Sequence, residues 1–151
     1  MKRLLISLTS MFLVFAVQAQ DITVYAPMTS THFNNKQDYN NHNYGLGLGI
    51  RWTDGKWDQG AQIGQYKNSF YTNSHWVAYD AGYNFNKYVR AGILLGAVDG
   101  YQGRNSGGFA PLVAPQLSIM IAPNVSLVTT YIQSTTKHGS SALGYSLAYK
   151  F

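Results

Sequence analysis

The chain has no cysteine and no glutamate, and only 11% of its 151 residues are charged. Without cysteine there is no disulfide scaffold, no thiolate metal site and no cysteine nucleophile, so the fold rests on burial and hydrogen bonding. With acidic charge limited to six aspartates, the Glu/Lys-rich surface of a water-exposed helical bundle is missing, and that class is excluded. The length allows one domain. Past residue 20 no run is long and apolar enough for a transmembrane helix. What the chain does have is aromatics and glycine: 12 Tyr, 7 Phe, 3 Trp and 15 Gly.

The first nineteen residues read as an export signal. Lys2 and Arg3 form a positive start, Leu4 to Val17 is apolar but for Ser7, Thr9 and Ser10, and Val17-Gln18-Ala19 precedes a cleavage point before Gln20. The run is too short and interrupted for a membrane anchor. Domain organisation is therefore a cleaved signal peptide over 1–19 and one folded unit over 20–151. Loss of Lys2 and Arg3 takes the formal net charge from +5 to +3. An exported chain with so mild a basic excess, and no basic cluster among its aromatics, is not expected to bind nucleic acid.

Beyond the leader the pattern has period two. Tyr44, Leu46, Leu48, Ile50 and Trp52 alternate with Gly45, Gly47, Gly49 and Arg51. Val77, Tyr79, Ala81, Tyr83 and Phe85 alternate with Trp76, Ala78, Asp80, Gly82 and Asn84. Runs at Val89–Ala97, Leu117–Ile121 and Leu143–Phe151 repeat the alternation, which is the signature of strands. Strands around Ile22–Phe33, Trp57–Lys67 and Val125–Gln133 bring the number to eight, enough to close a small barrel. The facing of the Trp57–Lys67 strand is open. Short turns (Thr53–Lys56, Asn84–Lys87, Ala122–Asn124) alternate with longer polar connections (Asn34–Asn43, Asn68–Asn73, Asp99–Pro111, Ser134–Ser140). That is the plan of an outer-membrane barrel, with periplasmic turns, extracellular loops and an apolar face toward lipid. A soluble barrel would turn its bulky face inward. Here glycines 45, 47, 49, 92, 96 and 144 lie opposite the bulky residues, so bulky-side-in would crowd the core and leave the exterior bare. The expected fold is all-β, an eight-stranded antiparallel transmembrane β-barrel of the outer membrane, and a monomer.

With the N-terminus periplasmic, this topology brings His32, Asn41, His42, Asn68, Ser69 and His75 to the extracellular rim. His32 and Ser69 can converge as base and nucleophile, with Asn68 orienting the imidazole or donating to an oxyanion. The same residue types are also ordinary loop residues.

Several segments together resemble the PagP-type lipid A palmitoyltransferases. They are Tyr25-Ala26-Pro27 with His32-Phe33, Asp38-Tyr39-Asn40-Asn41, Gly45-Leu46-Gly47-Leu48 running to Trp52, Tyr66-Lys67-Asn68-Ser69-Phe70, Ala81-Gly82-Tyr83, Pro111-Leu112 with Pro115, and Thr130-Tyr131-Ile132. They span nearly all of the mature chain. The resemblance implies an eight-stranded outer-membrane acyltransferase that moves a fatty acyl chain from an outer-leaflet phospholipid to lipid A or a related lipid, with His32 as base beside Ser69. The departures are that Asn68 stands where the family has Asp, Asn41 where it has Glu, and Gln133 where it has Pro, and that the family's N-terminal helix has no counterpart. Pro27 is kept, and the resemblance implies that the break a proline makes in strand pairing there lets lipid enter sideways.

Three function classes are open: an acyltransferase; a lipid hydrolase of the same fold that gives the acyl group to water; and a non-catalytic barrel with surface-binding loops. Inward positions Trp76, Ala78, Gly82, Leu94, Gly96, Ala114 and Met120 predict a mostly apolar bore able to hold an acyl chain, or simply a filled interior. Asn84 points inward where the resembling family has a Gly at the floor of its acyl slot, and a larger polar floor implies a donor chain shorter than palmitate. Lys36, Lys67, Arg104, Lys137 and His138 on the outer loops can meet lipopolysaccharide phosphates or merely solvate the loops. The expected partners are thus outer-leaflet phospholipid and lipid A or lipopolysaccharide. No cofactor is expected, and the four His at 32, 42, 75 and 138 lack the pairing of a metal site.

Overall fold

A computed structural model describes residues 21–33, 38–101, 108–134 and 140–151. The leader and the loop residues Lys36, Arg104, Lys137 and His138 lie outside the described residues. The strands are β1 (Asp21–His32), β2 (Gly45–Asp54), β3 (Trp57–Lys67), β4 (Asn73–Asn84), β5 (Val89–Asp99), β6 (Phe109–Ala122), β7 (Val125–Ile132) and β8 (Ala142–Lys150). Each pairs antiparallel with its neighbour in sequence, and β1 pairs with β8, so the eight close into a barrel. Closure gives both edge strands a partner, which membrane burial of the backbone requires.

The bulky face points out. Leu46, Leu48, Ile63, Val77, Leu95, Val113 and Ile121 are exposed around the wall, whereas Trp76, Ala78, Leu94 and Ala114 are buried inside. The facing of β3, left open by the sequence, is settled: Trp57 and Ile63 point out, while Asp58 and Gln62 are buried within. Aromatic girdles flank the apolar belt. Trp57, Phe85, Tyr88, Tyr149 and Phe151 stand at the short-turn end, and Phe33, Tyr44, Phe70, Phe109 and Tyr131 at the long-loop end. Ring edges at the two water–lipid boundaries are what a membrane-spanning wall needs.

Two seams are loosened in the loop-side half. On β1, Pro27 pairs with Ser146 and Thr29 with Tyr145, so Met28 is an extra residue in a bulge. The bulge reverses the alternation of the strand: Thr23 and Tyr25 are buried before it, and Ser30 after it. His32 therefore shares a face with Ser30, where an unbroken alternation from Tyr25 would have aimed it at lipid. The ladder of β1 with β2 runs from Asp21↔Arg51 only to Tyr25↔Gly47. The second seam lies between β6 and β7, whose ladder begins at Gln116↔Thr130. Strand β6 starts at Phe109, earlier than the loop ending at Pro111 predicted. Its Pro111 and Pro115 pair with β5 on one side only among the described residues, a place where a missing N–H costs no ladder bond.

Inside, the bore is divided, which corrects the expectation of a mostly apolar interior. The loop-side half holds Trp76, Ala78, Leu94, Val98 and Ala114 packed together, with Tyr66 and Leu112 against them. A Cβ on Gly47 or Gly64 would strike the Trp76 indole, so the ring lies flat on two bare backbones. The turn-side half holds four charges. Arg90 Nε donates to both Asp58 oxygens at 2.8 Å, Arg90 Nη2 reaches Asp80 Oδ1 at 2.8 Å, and Arg51 Nη2 reaches Asp80 Oδ2 at 2.6 Å. Tyr25 OH accepts from Arg51 at 3.1 Å, and Asn84 Nδ2 donates to Asp58 at 2.8 Å. Two acids and two bases in mutual contact keep this layer neutral, as burial demands.

Candidate functional site

The loop-side rim gathers three side chains from three segments. His32 ends β1, Asn41 lies in the β1–β2 connection, and Ser69 lies in the β3–β4 connection. His32 Nε2 is 2.9 Å from Ser69 Oγ, and His32 Nδ1 is 3.0 Å from Asn41 Oδ1. The Tyr39 ring stacks on the imidazole, with centroids 4.3 Å apart and planes 9° apart, and Phe70 meets Tyr39 edge-on. A hydroxyl, an imidazole and a third polar group in sequence is the general arrangement of an activated nucleophile.

Backbone bonds fix this geometry. The Asn41 carbonyl accepts from Ser30 N at 2.9 Å and from Thr29 Oγ1 at 2.7 Å, and Asn43 N donates to Met28 O at 3.0 Å. A single bridge joins Thr29 to His42. Residues 41–43 thus lie beside the bulged part of β1, where β2 itself does not pair. Asn40 ties this segment to the serine: its N–H donates to the Ser69 carbonyl at 2.9 Å and its Nδ2 to the Asn68 carbonyl at 3.0 Å. Asn43 Nδ2 adds a bond to Lys67 O at 2.9 Å. Asn40 and Asn43 are both buried, where an amide is retained for the bonds it makes.

Asn68 is placed differently from the expectation that it would face the imidazole. It is wholly buried. Its Oδ1 accepts from Phe70 N at 2.8 Å and Thr72 N at 3.1 Å; its Nδ2 donates to Thr72 Oγ1 at 2.7 Å, Ser74 Oγ at 3.0 Å and Gly100 O at 2.9 Å. The side chain closes the turn in which Tyr71 takes a positive φ of 60°. It shapes the loop that carries Ser69, and the group beside His32 is Asn41. Of the other rim residues, His75 pairs with Asp99 at 2.9 Å and His42 stacks on Tyr44. Neither joins the His32 set.

The bore residues fall into two groups. Trp76 and Leu94 lie in the apolar half below the rim, and Trp76 Nε1 donates to Gln62 at 3.2 Å. Gly82 and Asn84 lie in the charged half: a Cβ on Gly82 would meet the Arg90 guanidinium, and Asn84 is bonded to Asp58 and to Lys56 O. Met120 is half-buried near the turn end of β6, and Pro27 marks the β1 bulge. Sequence reasoning missed the roles of Asn40, Asn41 and Asn43. The available signal was the density of asparagine before a glycine-rich strand.

No family model and no curated protein matches the chain. Its fold is similar to that of the Yersinia pestis outer membrane protein Ail in a phospholipid bilayer nanodisc, at 15% identity and a TM-score of 0.56 over 87% of this chain and 99% of that one. The crystal structure of Ail gives 16% identity and a TM-score of 0.52 over 87% and 97%. De novo designed transmembrane β-barrels give 15% identity and a TM-score of 0.60 over 89% and 98%. At such identities the likeness is one of fold. Together with the outward apolar belt and its two aromatic girdles, it makes this chain a small eight-stranded β-barrel of the bacterial outer-membrane type.

Proposed function

We propose that the protein is an outer-membrane acyltransferase of the lipid A palmitoyltransferase kind, which moves a fatty acyl chain from an outer-leaflet phospholipid to lipid A or a related lipid. The observation that carries this reading is the 2.9 Å contact of His32 Nε2 with Ser69 Oγ at the loop-side rim. His32 takes the Ser69 proton as Oγ attacks the ester carbonyl. The lysophospholipid alkoxide leaves with that proton, and an acyl-serine remains. A lipid A hydroxyl then gives its proton to His32 and attacks the acyl-serine, and the proton returns to Ser69. The β1–β2 ladder ends at Tyr25↔Gly47 and residues 41–43 bond to Met28–Ser30, so the short stretch at Pro27 between them is the sideways approach this reading assigns to a bilayer lipid. An acyl chain entering the apolar half of the bore would have to displace side chains that are packed together there, Trp76 and Leu94 among them, and the charged layer of Asp80 and Arg90 would limit its depth. A hydrolase would share the first half of the sequence, with water in place of the second lipid.

Mass spectrometry of lipid A from cells with and without the protein tests this reading. An added acyl mass is expected with the wild type and not with Ser69→Ala. A lost acyl mass would mean hydrolysis. Unchanged lipid would favour the second reading, a non-catalytic barrel that presents loops, with which the shared barrel fold is equally consistent.

A further inference from the structure

We propose that Asn41 is a positioning residue that fixes His32 in the tautomer protonated at Nδ1. The inference rests on the reading of Ser69 and His32 as the reacting pair, and its test has an arm that does not.

The Asn41 atom facing Nδ1 is its amide oxygen, at 3.0 Å, and an amide oxygen has no proton to give. The proton of that bond therefore sits on Nδ1. A neutral imidazole has only one, so Nε2 is bare and its 2.9 Å partner, the Ser69 hydroxyl, is the donor. This is the tautomer in which His32 can take the serine proton. With the amide turned, Asn41 would donate to Nδ1, the ring proton would move to Nε2, and His32 would be a donor to Ser69 and useless as a base.

The surroundings of Asn41 suit this role. Its carbonyl is held by Ser30 N and Thr29 Oγ1, both just before His32 on the same strand, so side chain and imidazole are registered on one piece of backbone. The Tyr39 ring, parallel to the imidazole, keeps the ring plane from turning out of line. Asn41 is itself exposed, and its side chain bonds to His32. Removing that side chain leaves the backbone anchors in place.

The experiment uses the full barrel, labelled with nitrogen-15 and folded in detergent micelles, with the two His32 ring nitrogens observed across an alkaline pH series. Wild type is expected to show Nδ1 protonated and Nε2 bare. Asn41→Ala is expected to shift the proton toward Nε2 and to lower kcat about 100-fold with KM unchanged. Asn41→Asp, which keeps an acceptor oxygen at the same place, is expected to keep the wild-type tautomer and most of the rate. A wild-type His32 protonated at Nε2, or an Asn41→Ala variant with unchanged tautomer and rate, overturns the proposal. If wild type has no turnover, the acyltransferase reading fails, and the tautomer in wild type and Asn41→Ala alone decides the role of Asn41.

Discussion

Asn41 and Asn68 are the same side chain in opposite situations, and the difference predicts what each tolerates. The Asn68 amide gives protons to Thr72 Oγ1, Ser74 Oγ and Gly100 O, while the hydroxyl protons of Thr72 and Ser74 are already given to Gly100 O at 2.7 Å and Asp99 O at 2.6 Å. A carboxylate there would face three oxygens with no proton free, or pull the hydroxyls from the carbonyls they serve. Asn68→Asp, which restores the residue type of the resembling family, is therefore expected to cost about 3 kcal/mol or more and to lower activity by displacing Ser69. The thermal midpoint in detergent and the acyl-transfer rate check this, and a faster, equally stable variant would contradict it. His32→Ala and Ser69→Ala should each reduce acyl transfer by about 10³-fold or more while leaving the folded barrel's gel mobility unchanged, since rim polar groups bury little surface.

At the scale of the element, the strands were legible because a wall between lipid and bore forces strict alternation, and the runs at Tyr44–Trp52 and Trp76–Phe85 show it undisturbed. The facing of His32 was not, because one extra residue at Met28 reverses it and a bulge leaves no mark in the alternation except the proline before it. The charged layer was open to view. Arg51 and Asp80 sit at inward positions of their alternations, and reading the bore from its glycines and apolar residues passed over them. Asp80 is the hinge of that layer, paired with both arginines and 3% exposed. Asp80→Ala leaves Arg51 and Arg90 with Asp58 alone and is expected to lose about 3–5 kcal/mol, read as a lower temperature for loss of the compact gel form. Asp54→Ala, at the exposed end of β2, should change it little. The layer also revises the depth of any acyl slot. Asn84 lies at its far side, bonded to Asp58. Asn84→Gly should therefore leave acyl-chain preference unchanged, and a shift to longer chains by lipid mass spectrometry would put the slot past Arg90.

At the scale of the molecule, every strand has two neighbours and the outer belt is apolar, so the folded form should resist detergent until heated and migrate faster unboiled than boiled. The barrel was readable because its whole circumference obeys one local rule. The rim site was readable only in part, because it is assembled from connections whose mutual bonds, such as Asn40 to Ser69, join residues far apart in the chain and obey no period. The central claim is that Ser69 and His32 move an acyl group, and purified barrel in vesicles of phospholipid and lipid A measures it directly. The wild type should produce lysophospholipid and acylated lipid A in equal amounts, and Ser69→Ala neither. Absence of both products from the wild type, or equal yields from Ser69→Ala, would contradict it.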